Sequence, residues 1–416
     1  LRSLPALGLR SERQVSIQGT PPNPSDLPPG CAFQPRCDVV GNRELCVTDS
    51  PELNEVGDAR QVACHFHEET TVVAVDLARH SMQSHSIGGA EQLDTEPVLK
   101  VENLSKRFDI GGGMFTGAKR ELLAVDDVSF EIHKGKTLAL VGESGSGKST
   151  TARAILRLHD PSAGQVHFGG VDLAVTNGRQ LSNLRREIQV IFQDPFGSLN
   201  PRLTARELVT EPLKIQGLYD ATGPDDVGDL LTRVGLSSSQ WDRLPSAFSG
   251  GQRQRIAIAR ALILKPRMLV LDEAVSALDV SIQSQILNLL VDLQKEFNLA
   301  YLFIAHDLAV VKHISDRVAI MYLGKIVEQA SSNEIYHRPF HPYTQSLISA
   351  IPIPDPHHKT TRILLKGDVP SPISPPSGCA FHTRCPKAQP SCQHEAPILE
   401  SVAPEHIAAC HFAEAP

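Results

Sequence analysis

The rhythm of apolar and polar positions changes near Val98. Ahead of it the chain is rich in Pro and Ser and keeps no steady period, which predicts extended or irregular backbone. Residues 71–78 form one possible short element there, and most of 68–96 reads as linker. From Val98 on, short apolar runs alternate with helical patterns, the mark of an α/β domain. The runs at 137–141, 188–192, 268–271 and 301–305 predict strands, and 253–264 predicts a long helix. No apolar run approaches the roughly 20 residues that span a bilayer. The most apolar stretch, 261–275, is broken by Lys265, Pro266, Arg267, Asp272 and Glu273. Any membrane role is therefore expected to come through a partner.

Composition narrows the classes. A chain of 416 residues can hold two or three domains. Lys plus Arg is 40 and Asp plus Glu is 47, so the net charge is 40 − 47 = −7. That balance disfavours nucleic acid as main partner, because a phosphate backbone needs a basic face.

All eight cysteines fall into two quartets: Cys31, Cys37, Cys46, Cys64, and Cys379, Cys385, Cys392, Cys410. Their spacings are C-x5-C-x8-C-x17-C and C-x5-C-x6-C-x17-C. The flanks repeat as well. Gly30-Cys31-Ala32-Phe33 matches Gly378-Cys379-Ala380-Phe381, and Ala63-Cys64-His65-Phe66 matches Ala409-Cys410-His411-Phe412. Two copies at the two ends form an internal repeat but not a solenoid. Disulfides would need an oxidising compartment. Zinc suits four thiolates but is usually held by C-x2–4-C pairs. An iron–sulfur cluster takes four thiolates at wider spacing. The His after Cys64 and Cys410 is either a supporting group or a surface residue.

The strand at 137–141 runs into Gly142-Glu143-Ser144-Gly145-Ser146-Gly147-Lys148-Ser149-Thr150, a G-x-x-x-x-G-K-S placed between strand and helix. Such a loop curls backbone N–H groups around phosphates, and the helix that follows points its positive end at them. Lys148 is suited to the β- and γ-phosphates and Ser149 to Mg²⁺. The strand at 268–271 ends in Asp272-Glu273, one carboxylate suited to Mg²⁺ and the next to orienting water. Ser249-Gly250-Gly251-Gln252 opens the long helix and offers a second anion-binding N-terminus.

These residues together resemble an ABC transporter ATPase. Gly142 to Thr150 matches the Walker A motif, the strand ending in Asp272 the Walker B motif, and Glu273 the catalytic carboxylate. Phe248-Ser249-Gly250-Gly251-Gln252 matches the LSGGQ signature, with Phe for Leu. Gln193 matches the Q-loop, Ser276-Ala277-Leu278-Asp279 the D-loop and His306 the switch histidine. Phe108 stands where the family stacks an aromatic on adenine, although a core Phe fits the pattern nearly as well. The resemblance implies an α/β P-loop NTPase of ABC type. Its parts are a RecA-like core, an antiparallel β subdomain and a helical signature subdomain, flanked by irregular Cys-rich tails. It also implies ATP and Mg²⁺ as ligands, with the signature motif capping ATP on an opposite subunit.

Gln193-Asp194-Pro195, Ser198-Leu199-Asn200-Pro201, Glu211-Pro212-Leu213, His341-Pro342-Tyr343-Thr344 and the cysteine tail are similar to the dipeptide/oligopeptide importer ATPases. That branch implies two membrane-spanning permease subunits, an external substrate-binding protein acting indirectly, and a peripheral place on the cytoplasmic face of the membrane. It implies that the segment from Gln193 to about Ser246 docks a membrane-subunit helix. It also implies a [4Fe–4S] cluster on the tail cysteines, with Zn²⁺ as the alternative. Related importers carry nickel or another small solute. A soluble ABC ATPase acting on ribosomes or nucleic acid is a further reading, disfavoured by the acidic balance and the cysteine spacing. A non-enzymatic relative is disfavoured by intact Glu273 and His306.

The expected domains are residues 1–67, a Cys-rich tail of a preceding ABC unit; 68–96, a linker; 97–340, the nucleotide-binding domain; and 341–416, a second Cys-rich tail. The first residue is Leu1, and the cysteine offset, 379 − 31 = 348, aligns it with Ser349. The chain thus reads as the C-terminal part of a tandem ATPase. The second ATPase domain would be fused upstream, a separate subunit or another copy of this chain.

Overall fold

The structure is a computed structural model that describes residues 17, 19, 22, 26–39, 43–56, 60–69, 96–110, 120–352 and 362–415. The possible element at 71–78, most of the linker and residues 111–119 lie outside the described residues. The contacts divide the chain into a smaller unit, up to residue 90, and a larger one from residue 91.

In the smaller unit a 3-10 turn, Gln34–Arg36, leads to helix α1 (Glu44–Thr48) and an antiparallel hairpin, β1 (Leu53–Glu55) with β2 (Gln61–Ala63). The Cys31 N–H donates to the Cys46 carbonyl at 2.9 Å. A Cβ on Gly30 would stand 2.5 Å from that oxygen, so the repeated glycine is a packing requirement.

The larger unit begins with two long strands, β3 (Leu99–Ile110) and β4 (Arg120–Ile132), then β5 (Thr137–Val141) and helix α2 (Lys148–Ile155). Strands β6 (Ala163–Phe168) and β7 (Val171–Asp172) follow, then α3 (Gly178–Glu187) and β8 (Ile188–Ile191). Four helices come next: α4 (Pro195–Ser198), α5 (Ala205–Ile215), α6 (Tyr219–Arg233) and α7 (Gly250–Leu262). The core resumes with β9 (Met268–Asp272), α8 (Val280–Phe297), β10 (Ala300–Ala305), α9 (Leu308–Ile314), β11 (Arg317–Tyr322) and β12 (Lys325–Ser331). Helices α10 (Ser332–His337), α11 (Pro342–Ser349) and α12 (Ser391–His394) and strands β13 (Glu400–Ala403) and β14 (His406–Ala408) complete it.

Strands β5, β9 and β10 are buried at every position. Continuous apolar runs suit a parallel sheet covered on both faces. They lie in an eight-stranded sheet of order β13-β14-β12-β11-β5-β10-β9-β8, in which β11, β5, β10, β9 and β8 run parallel. Side chains alternate between its faces. Ala139, Val141, Leu269, Leu271, Tyr301 and Phe303 join one core, with α5, α7 and α8. Leu138, Leu140, Met268, Val270, Leu302 and Ile304 join the other, against the antiparallel sheet β4-β3-β6-β7. The α/β core, the antiparallel subdomain and the helical subdomain are thus all present. Capping boxes start two helices of the last: Thr204 with Glu207 at α5, and Ser249 with Gln252 at α7.

The tail departs from the irregular chain expected. It carries the hairpin β13–β14, and β14 pairs antiparallel with β12, so the main sheet continues into the tail. The cause is long-range. Glu328 on β12 is fully buried and accepts from the Phe340 and His341 N–H groups and from His406 Nε2 at 2.7 Å. The boundary drawn at 340 therefore crosses a continuous hydrogen-bond network.

The second quartet has the local form of the first. The Cys379 N–H donates to the Cys392 carbonyl at 2.8 Å, and a Cβ on Gly378 would meet that oxygen at 2.5 Å. His65 Nε2 lies 2.9 Å from the Asp49 carbonyl and His411 Nε2 3.0 Å from the Glu395 carbonyl. The two repeated histidines thus fasten backbone.

Candidate functional site

Parallel strands deliver their carboxyl ends to one edge of a sheet, and ligands bind there. Here β8, β9, β10 and β5 are neighbours, with Ile191 opposite Leu271, Asp272 opposite Ile304, and Ala305 opposite Val141. The residues just beyond those positions are Gln193, Glu273, His306 and the loop at Gly142. Four separate stretches therefore converge without any being near another in sequence. They line a cleft of ≈ 830 Å³ that includes Glu143, Ser144, Gly145, Gly147, Lys148, Ser149, Thr150, Gln193, Glu273 and His306.

The loop before α2 has the shape of an anion cradle. Gly147 has φ +105°, and a Cβ there would stand 2.3 Å from the Ala124 carbonyl, so only glycine fits. Lys148 is 4% exposed. Its ammonium donates to the carbonyls of Gly142 and Glu143, both at 2.8 Å. Burial lowers its pKa, while Glu273, Asp272 and Glu143 oppose the shift. The Ser149 hydroxyl donates to Asp272 at 2.8 Å. Burial raises the Asp272 pKa against that bond and Arg153. A buried cation thus faces a buried carboxylate, and each charge is favoured by a ligand of opposite sign. Phosphate suits Lys148. A divalent cation suits the Ser149 hydroxyl and the Asp272 carboxylate, an oxygen donor set of the kind Mg²⁺ takes.

Beside this pair stands Glu273, with φ +48°. A left-handed glutamate costs energy and marks an over-determined site. Its N–H donates to the Ile304 carbonyl at 3.0 Å, which holds the turn. One carboxylate oxygen accepts from Gln193 Nε2 at 2.9 Å and lies 3.4 Å from His306 Nδ1. Carboxylate, amide and imidazole thus meet at one oxygen on the open side of the phosphate loop.

Other predicted residues lie elsewhere. Ser249, Gly250, Gly251 and Gln252 do not line the cleft. The Ser249 hydroxyl accepts from the Gln252 N–H at the start of α7, leaving that helix end at the surface. Phe108 is half-buried, with its ring edge-on to His159 at 5.4 Å and Lys106 above it. It too is absent from the cleft wall. A second groove, ≈ 770 Å³, runs between β8 and α7 and is lined by Phe192, Gln193, Asp194, Pro212, Ile215 and Arg260. Ile215 is 72% exposed there.

Sequence reasoning missed Tyr322, Tyr343 and Arg384 at the phosphate loop. The Glu143 N–H donates to the Tyr343 hydroxyl at 3.0 Å. Arg384 grips the Glu143 carboxylate with its two terminal guanidinium nitrogens, Nη1 and Nη2, at 2.7 and 3.2 Å. Phe381, 1% exposed, packs against Tyr322 and Tyr343 with centroids 5.2 and 5.3 Å away. The signal that could have found Arg384 lies in the repeat, where Arg36-Cys37 matches Arg384-Cys385.

The four cysteines of the second quartet line one small cavity with Phe381 and His411. All eight cysteines are free thiols. Burial pushes the Cys379 thiol up to about 11. Among the described residues no three His, Cys, Asp or Glu side chains form a group that could hold a metal ion. The thiols of the second quartet share that cavity, and Cys46 of the first stands near Cys31, Cys37 and Cys64.

Comparison with known proteins agrees with this geometry. Residues 125–276 match the family model described as ABC transporter. The model for the oligopeptide/dipeptide transporter C-terminal region matches twice, at residues 1–46 and 327–392. The chain is 50% identical over 321 residues to the oligopeptide transport ATP-binding protein AppF of Bacillus subtilis, covering 76% of this chain and 98% of that one. It is 51% identical over 318 residues to y4tS of Sinorhizobium fredii, named a probable peptide ABC transporter ATP-binding protein, covering 76% and 90%. Among solved structures, cbiO1 of Clostridium perfringens, part of the ABC transporter complex cbiONQ, is 28% identical with a TM-score of 0.51, covering 58% of this chain and 91% of that one. The dimeric bacterial ABC transporter cassette MJ0796 is 28% identical with a TM-score of 0.50, covering 56% and 98%.

Proposed function

Because this chain belongs to the ATP-binding proteins of the ABC transporter family, in its oligopeptide/dipeptide branch, we propose that it hydrolyses ATP in the cleft at Lys148 to energise a peptide importer. The observation that carries the reading is the meeting of Gln193, Glu273 and His306 beside the Lys148 loop and the Ser149–Asp272 pair.

Phosphoryl transfer to water needs positioning and charge neutralisation rather than covalent catalysis. Lys148 and the amides of residues 142–150 hold the phosphates. Ser149, Asp272 and Gln193 would hold Mg²⁺, which neutralises phosphate charge when bound. Glu273 orients water for in-line attack on the γ-phosphorus and accepts its proton. The bond from that phosphorus to the ADP oxygen breaks, and His306 steadies the γ-phosphate. Phe108 would stack on adenine beside the cleft, a reading supported by its pairing with Leu122, which lines it. Ser249, Gly250, Gly251 and Gln252 cap an ATP held by a second ABC domain, a reading supported by the exposure of Ser249 at the helix start and by the dimeric cassette. Glu273→Gln should still bind ATP and should hydrolyse it at least ~100-fold more slowly, in line with loss of a general base. Hydrolysis at the wild-type rate would remove Glu273 from this role.

Two permease subunits would carry the solute, with an external binding protein delivering it. The groove with exposed Phe192 and Ile215 supports docking of a permease helix there. Among the described residues no helix is long and apolar enough to cross a membrane. A peripheral place on the cytoplasmic face is proposed from the likeness to importer ATP-binding proteins. Residues 1–67 are best read as a second copy of the tail, belonging to another ABC unit, with 68–96 as linker. The double family match and the shared hydrogen bonds support this. The quartets are proposed to ligate [4Fe–4S], which takes four thiolates and tolerates their wide spacing in sequence. Anaerobically purified protein should contain iron and acid-labile sulfide in equal amounts. Stoichiometric zinc with neither would refute the cluster.

A further inference from the structure

We propose that Arg384 is a positioning residue of the ATP site, supplied by the cysteine-rich tail to neutralise Glu143 of the phosphate loop. The inference rests on the reading of that loop as the ATP cradle. Glu143 lines the cleft, so its carboxylate would repel the phosphates that the loop must hold. Arg384 meets it as a two-pronged pair, and its own side chain is only 9% exposed. The Glu143 peptide is held at the same time. Its N–H is bound by Tyr343, and its carbonyl accepts from Lys148, the group suited to the β- and γ-phosphates. A change in the pair therefore reaches Lys148 through one residue.

The tail gives Arg384 little freedom. Three residues before it, Phe381 is locked among Tyr322, Tyr343 and His341, and Cys385 follows directly in the thiol cavity. The same Phe-x-x-Arg-Cys run stands in the smaller unit as Phe33 to Cys37. The arginine thus belongs to the repeated tail and is not an accident of this one surface.

The test measures binding of a fluorescent ATP analogue and steady-state hydrolysis by the full chain. Arg384→Ala should weaken binding about fivefold or more and raise KM, with kcat within about twofold, as expected for loss of ground-state binding. Adding Glu143→Gln to Arg384→Ala should return binding to within about twofold of wild type, because the uncompensated charge is gone. Arg384→Lys, which keeps the charge, should lose less than Arg384→Ala and serves if the alanine variant does not fold. The loss in Arg384→Ala should deepen at low ionic strength. Unchanged binding in Arg384→Ala, or a loss that Glu143→Gln does not repair, overturns the proposal. Lys148→Ala separates the two readings. If it binds ATP normally, the phosphate-loop reading itself fails and the inference with it; if it abolishes binding while Arg384→Ala does not weaken it, only the inference fails.

Discussion

His341 illustrates how one side chain can be fixed by two demands at once. Its ring is 1% exposed, packs on Phe381, and its Nδ1 accepts from the Tyr343 N–H as the cap of α11. Only a neutral Nδ1 can accept. Burial pushes its pKa down to about 4 from an ordinary 6.5, with Glu328 opposing. The folded state then binds fewer protons than the unfolded state between those values, so stability falls as pH falls through that window. The full shift corresponds to roughly 3 kcal/mol. His341→Asn keeps a capping acceptor and removes the titration. Its urea midpoint should change less between pH 7 and pH 4.5 than that of wild type. Equal pH dependence in the two proteins would exclude His341 as a source of the acid sensitivity.

At the scale of elements, legibility follows the range of the forces involved. Strands β5, β9 and β10 were plain because double-sided burial leaves an unbroken apolar run. The phosphate loop, Asp272, Glu273, Gln193 and His306 were plain because each is a strand end carrying its own local chemistry. What the pattern could not give was the order β5-β10-β9-β8, which brings those ends together. Strands β13 and β14 escaped notice for a different reason. They are short and half-polar, and β14 is held by pairing with β12, about eighty residues away. Helix α7 starts at Gly250, within the Ser249–Gln252 stretch read as its opening, because Ser249 and Gln252 cap it. In the sequence Tyr343 stands out only through the resemblance of His341-Pro342-Tyr343-Thr344. Its contact with the Glu143 N–H spans 200 residues, and no local pattern encodes that.

At the scale of the larger unit, the tail and the motor share a sheet, an aromatic cluster and a buried hydrogen-bonded pair, and so should unfold together. The pair is the most exacting of these. Glu328 and His406 are both fully buried, 2.7 Å apart, and Glu328 also serves the Phe340 and His341 N–H groups. Replacing His406 with Ala would leave buried Glu328 with only its two backbone donors, a change that costs about 1–3 kcal/mol. Adding Glu328→Gln should recover much of the loss, since the amide oxygen still accepts and no charge remains. Two probes can follow both variants. Trp241, the single tryptophan, reports the helical subdomain, and the Ala409 amide, which donates to the Val327 carbonyl, reports the β14 edge. In a cooperative unit His406→Ala lowers the urea midpoint of Trp241 fluorescence and the hydrogen-exchange protection of Ala409 by the same free energy. If Ala409 exchanges early while Trp241 keeps its wild-type midpoint, the tail opens as a separate piece. An arginine on such a piece could hold the phosphate loop only while the tail stays docked, so the same measurement bounds how firmly Arg384 can position the ATP site.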